Sequence, residues 1–104
     1  MGAHTTVERL KIMSEALYES IDVWRRQHDA TLRRYRCFRI LSNGHYCVQS
    51  MDVYSVPIDP IRLQELDNQF YELLAETDPV ERGGHFPSLE QAIADHDAAF
   101  GTAE

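Results

Sequence analysis

Two cysteines, five histidines and a dense run of arginines are the residues of this 104-residue chain whose types suit chemistry. A nucleophilic cysteine needs a base close to its sulfur to make the thiolate. The nearest pair in sequence is His45 with Cys47, two residues apart and therefore on one side of an extended strand. That pair, together with His85, is the one arrangement that would suit an enzyme pocket. None of His4, His28, His45, His85 and His96 shows the spacing of a zinc finger, a zincin or an EF-hand. Asp95, His96 and Asp97 are consecutive, so they fan around a helix and do not converge on one ion. Gly83-Gly84 lacks a phosphate-loop pattern, and no serine or threonine nucleophile motif is present. The expectation is a protein that is not an enzyme, with no catalytic residues, no metal and no cofactor.

The arginines carry more information. Residues 1–51 hold eight Lys and Arg against five Asp and Glu, whereas residues 52–104 hold two against twelve, within a net charge of −7. Six arginines, Arg25, Arg26, Arg33, Arg34, Arg36 and Arg39, fall within fifteen positions. A guanidinium offers a planar fork of donors that suits carboxylates, phosphates and aromatic faces. Arg33, Arg34, Arg36 and Arg39 with Tyr35 are therefore the candidate contacts for a partner or an anion. The first expectation is that they pair inside the molecule with Glu65, Asp67, Glu72, Glu76 or Asp95 of the acidic second half. A protein partner is the next, and single-stranded RNA or DNA the last, because affinity for nucleic acid comes mainly from neutralising phosphates and the chain is acidic overall.

These residues need elements to hold them. Val7, Leu10, Met13, Leu17, Ile21, Trp24 and His28 recur at three and four, one face of an amphipathic helix over about residues 6–28, with Thr5 and Glu8 in capping-box spacing. From Leu32 to Val56 the period changes to two around Ser42-Asn43-Gly44-His45, and Asn-Gly is the strongest short hairpin signal. Pairing Ser42 with His45 sets Ile40 opposite Cys47 and Cys37 opposite Ser50. The two cysteines then point to opposite faces of the ribbon and are expected to stay buried thiols. Pro57 ends the second strand, and Asp59-Pro60 opens a helix that runs to about residue 76. Residues 80–87 read as a loop. Ser88 with Gln91 caps a last helix of about three turns.

The expected fold is a single small α+β domain over residues 1–104 in the order α-β-β-α-α, with residues 1–5 flexible and 101–104 frayed. No convincing third strand is visible, and a lone ribbon is marginal in water. Its edge could be extended by a second copy. No apolar stretch follows a basic leader and none reaches the roughly 18 residues of a membrane span, so a cytoplasmic protein without membrane contact is expected. The functional expectation is a non-enzymatic, acidic protein-protein interaction module, such as an adaptor, regulator or immunity-like inhibitor, acting as a homodimer. Single-stranded nucleic-acid binding through the arginine-rich hairpin is the alternative.

Overall fold

The computed structural model describes residues 16–100. It is a mixed α+β domain: strands β1 (Tyr18–Arg26), β2 (Thr31–Ile40) and β3 (Tyr46–Ser55), then helices α1 (Pro60–Glu76), α2 (Pro79–Gly83) and α3 (Leu89–Phe100). The strands form one antiparallel sheet in the order β1-β2-β3. Of the helix expected over residues 6–28, the first part lies outside the described residues and the second part is corrected. Tyr18–Arg26 is a strand, and it is the third strand that the sequence pattern hid.

The correction has a local cause. Ile21 and Val23 alternate with Ser20 and Asp22, and both pack on the sheet core as β-branched residues do. Gln27–Ala30 then turns the chain. Asp29 Oδ1 accepts from the Thr31 amide at 3.2 Å, and Ala30 takes a left-handed φ of 66°. No glycine marks this turn, which is why the helical spacing of Leu17, Ile21, Trp24 and His28 concealed it.

The second hairpin is also corrected in register. The Asn43 side chain accepts from the His45 amide at 2.8 Å, and only Gly44 takes positive φ, at 74°. A two-residue type I′ turn needs positive φ at both positions. The result is a longer loop, Leu41–His45, closed by Ile40 N–H donating to His45 O at 2.8 Å. Arg39 then faces Tyr46, Phe38 faces Cys47, and Cys37 faces Val48. A bulge at Gln49 restores pairing at Arg36 and Ser50.

Each face of the sheet is covered by helix. Tyr35, Cys37 and Val48 pack with Ala92, Leu89 and Ile93 of α3. Phe38 and Cys47 pack with Phe70 and Leu74 of α1, the Phe38 and Phe70 rings being stacked at 5.6 Å. The helix starts follow the caps: Asp59 accepts from the Ile61 amide at 3.0 Å, and Ser88 Oγ accepts from the Gln91 amide at 3.1 Å. Asp78 caps α2 in the same way, and residues 80–83 of that helix correct the start of the loop expected over residues 80–87. None of the described helices is long and apolar enough to cross a membrane.

Candidate functional site

The arginines stand on β2 with acidic neighbours on both sides. Asp22 of β1 faces Arg36 across the ladder, and Asp52 of β3 faces Arg34. Arg34 grips Asp22 with two donors, Nε to Oδ1 at 3.2 Å and Nη2 to Oδ2 at 3.0 Å, and also reaches Asp67 at 3.3 Å. Its guanidinium lies 5.2 Å above the Trp24 ring. Arg36 donates from Nε to Asp52 at 2.8 Å and from Nη2 to Asp67 at 2.7 Å, and it covers the Phe70 ring at 4.8 Å. Arg39 donates to Glu19 at 2.7 Å, and Arg33 to Gln27 at 3.1 Å.

The structure therefore supplies partners from elements that the expected internal pairing did not use. Among the described residues, Asp67 is the acid of that expected set seen to meet an arginine; Asp22, Glu19 and Asp52 are cross-strand neighbours. Tyr35 and Arg36 are 1% and 3% exposed, so these two of the five candidate contacts lie inside the domain and not on its surface. The Tyr35 hydroxyl donates to Asp97 at 2.8 Å, and Arg25 reaches the other oxygen of that carboxylate at 3.0 Å. Burial, then Asp97, raises the Tyr35 hydroxyl above its ordinary range. The Arg36 hydrogen bond holds Asp67 below the usual carboxylate range.

Both cysteines are free and buried, on opposite faces of the sheet. Burial pushes the Cys37 thiol up to about 12 and the Cys47 thiol up to about 11. Neither is a thiolate near neutral pH, and Cys47 packs against Phe38 and Phe70.

Two features arise from tertiary contacts alone. A cavity of about 590 Å³ opens between β3, α2 and α3, with Met51, Phe86, Ala92 and Phe100 as apolar walls and Arg82 and His96 as polar ones. The His96 ring stands edge-on to Tyr35 at 6.0 Å, its Nδ1 is buried without a hydrogen-bond partner, and burial lowers its affinity for a proton. Separately, the loop before β3 and the loop before α3 bring His45 and His85 together, with Nδ1 atoms 2.7 Å apart. Among the described residues no group of three or more His, Cys, Asp or Glu could hold a metal ion.

Comparison with models of protein families, with curated proteins and with solved structures finds no match.

Proposed function

We propose that the protein is a non-enzymatic interaction module that works as a homodimer and presents an acidic helix to a basic protein. The observation that carries this reading is the open edge of β1. Among the described residues nothing pairs with the outer side of this nine-residue strand, and Trp24 on it is 49% exposed. An unpaired edge of this length is a template for another strand.

A second β1 fits it. Two antiparallel copies related by a two-fold axis at Asp22 would set Glu19 opposite the partner's Arg25, Ile21 opposite the partner's Val23, and Ser20 opposite the partner's Trp24. Each Glu19–Arg25 pair would join bonds already present, since Glu19 accepts from Arg39 and Arg25 donates to Asp97. Signs then alternate along Arg39, Glu19, the partner's Arg25 and the partner's Asp97. The like charges of the two Asp22 carboxylates meet at the axis, and each is offset by its own Arg34. Opposite charges directly across a ladder stabilise, by about 0.2–1 kcal/mol a pair.

The partner surface is proposed on α1. Glu65, Glu72 and Glu76 lie along its exposed side beside Tyr71, and among the described residues they form no ion pair. Complementary charge speeds and orients docking, and an exposed tyrosine is a favoured anchor. The internal pairing of Arg34 and Arg36 commits two of the four arginines of the nucleic-acid alternative to carboxylates of the chain itself. Free buried thiols fit the reducing cytoplasm.

Size-exclusion chromatography with light scattering tests the assembly: a mass of twice 12.0 kDa at micromolar concentration is expected. A strict monomer at high micromolar concentration contradicts it. Affinity purification with nuclease treatment tests the partner; a protein retained by the native chain and lost from the E65Q/E72Q/E76Q variant is the supporting result.

A further inference from the structure

The sharpest unexplained contact in the molecule is between two imidazoles. His45 ends the β2–β3 loop and His85 lies just before Phe86, 40 residues later, yet their Nδ1 atoms are 2.7 Å apart and their ring centroids 4.9 Å apart. Neither ring is placed by chance mobility of a free loop. Tyr46 and Phe86, the residues that follow each histidine, exchange two backbone hydrogen bonds of 2.8 Å in an antiparallel bridge. The Asn43 side chain fixes the His45 amide from the other direction. The backbone therefore holds both Cβ atoms, and the two Nδ1 atoms face each other at one spot near the surface.

At that separation one nitrogen must carry a hydrogen and the other a lone pair. The same spot suits a cation with two nitrogen ligands. Zinc bonds imidazole nitrogen at about 2.0–2.1 Å in a near-tetrahedral set, which needs the two nitrogens about 3.3 Å apart. Opening the pair by about 0.6 Å supplies that geometry, well within the range of side-chain rotation on a fixed backbone. When the ion binds two neutral rings, both carry their hydrogen on Nε2 and offer Nδ1, so one ring changes tautomer and no charge is lost from the pair. No third protein ligand joins among the described residues. Water completes the shell, which makes the site open and exchangeable.

We propose that His45 and His85 form a two-imidazole site for a divalent first-row transition metal ion, which pins the β2–β3 loop to the segment joining α2 and α3. The Irving–Williams order sets copper above zinc at such a site. Zinc is the better probe because it carries no redox chemistry of its own.

Isothermal titration of the full chain with zinc chloride, paired with side-chain imidazole NMR, tests this. One saturable zinc ion per chain is expected, with perturbed resonances of His45 and His85 and slowed amide exchange at Tyr46 and Phe86. H45Q and H85Q should each lower affinity at least tenfold, whereas H28Q and H4Q should leave it unchanged. Each variant's fold is checked by its unperturbed Trp24 fluorescence and far-ultraviolet circular dichroism. His85 is exposed in a loop, so H85Q keeps the test decisive if H45Q is destabilised. Absence of saturable binding at millimolar zinc overturns the proposal, as does binding that survives both H45Q and H85Q.

Discussion

Arg36 Nη2 and Asp67 Oδ1 lie 2.7 Å apart, and this contact ties the middle strand of the sheet to helix α1. The same guanidinium reaches Asp52 at 2.8 Å, so a single buried cation joins β2, β3 and α1. The contact also joins the basic half of the chain to the acidic half. Replacing Arg36 by alanine takes this cation from Asp52, leaves Asp67 only its longer 3.3 Å contact with Arg34, and opens a space above Phe70. A loss of about 3 kcal/mol is expected, the range for breaking a buried ion pair from one side. Arg36→Met, which refills the volume, should lose less. Urea denaturation measures both, and an alanine variant within about 0.5 kcal/mol of the native protein, the scatter of ordinary surface changes, contradicts this role.

Stability should fall in two steps as the solution is acidified. Burial lowers the His96 pKa, so the unfolded chain takes up a proton before the native one. That contribution is complete above about pH 6.5 and is lost as the pH falls from there through the folded value. Asp67 is lowered by its bond from Arg36, and its contribution is complete above about pH 3.9 and is lost below. Urea midpoints measured from pH 8 to pH 3 should show both steps. His96→Phe should remove the upper one and Asp67→Asn the lower one, and a variant profile parallel to the native profile would count against the assigned group.

Thiol reactivity reports the depth of the sheet core. With Cys37 pushed up to about 12 and Cys47 up to about 11, neither should react with Ellman's reagent at pH 8 in the native protein. Both should react at once in denaturant. Rapid labelling of the folded chain would be inconsistent with their packing on opposite faces of the sheet.

Ala30 carries the one left-handed non-glycine backbone among the described residues, at φ 66°. An L-residue with a side chain costs about 1–2 kcal/mol there. Glycine removes that cost while adding about 0.4–1 kcal/mol of unfolded-chain entropy. Strain is the larger effect, so Ala30→Gly should stabilise by about 0.5–1 kcal/mol. Thermal denaturation decides the sign, and a destabilised variant would show that the turn is not strained.

The parts of this fold that the sequence makes legible are those set by local chemistry. Asp59-Pro60 and Ser88 announce their helices because each cap acts within three residues. The alternation through Leu32–Val56 announces β2 and β3. The strand β1 is hidden because Leu17, Ile21, Trp24 and His28 satisfy a helical period while Ile21 and Val23 satisfy a strand one, and only pairing with β2 decides between them. Misplacing β1 also hides Asp22 and Glu19, the partners of Arg34 and Arg39. The shifted hairpin register follows from one side-chain bond, Asn43 to the His45 amide. The meeting of His45 with His85, and the cavity beside His96, depend on how distant loops and helices pack, and no local pattern encodes them.

In the proposed homodimer two copies join through β1 with Asp22 on the axis. In an antiparallel ladder directly opposed Cα atoms are about 4.5–5.5 Å apart, inside the span a disulfide bridges. Asp22→Cys should therefore form an interchain disulfide under mild oxidation, seen as a covalent dimer on non-reducing gels, with the buried Cys37 and Cys47 silent. Ser20→Cys, set opposite the partner's Trp24, should crosslink far less. A dominant Asp22→Cys dimer with little from Ser20→Cys is the predicted result; equal crosslinking of both, or of neither, contradicts the assembly.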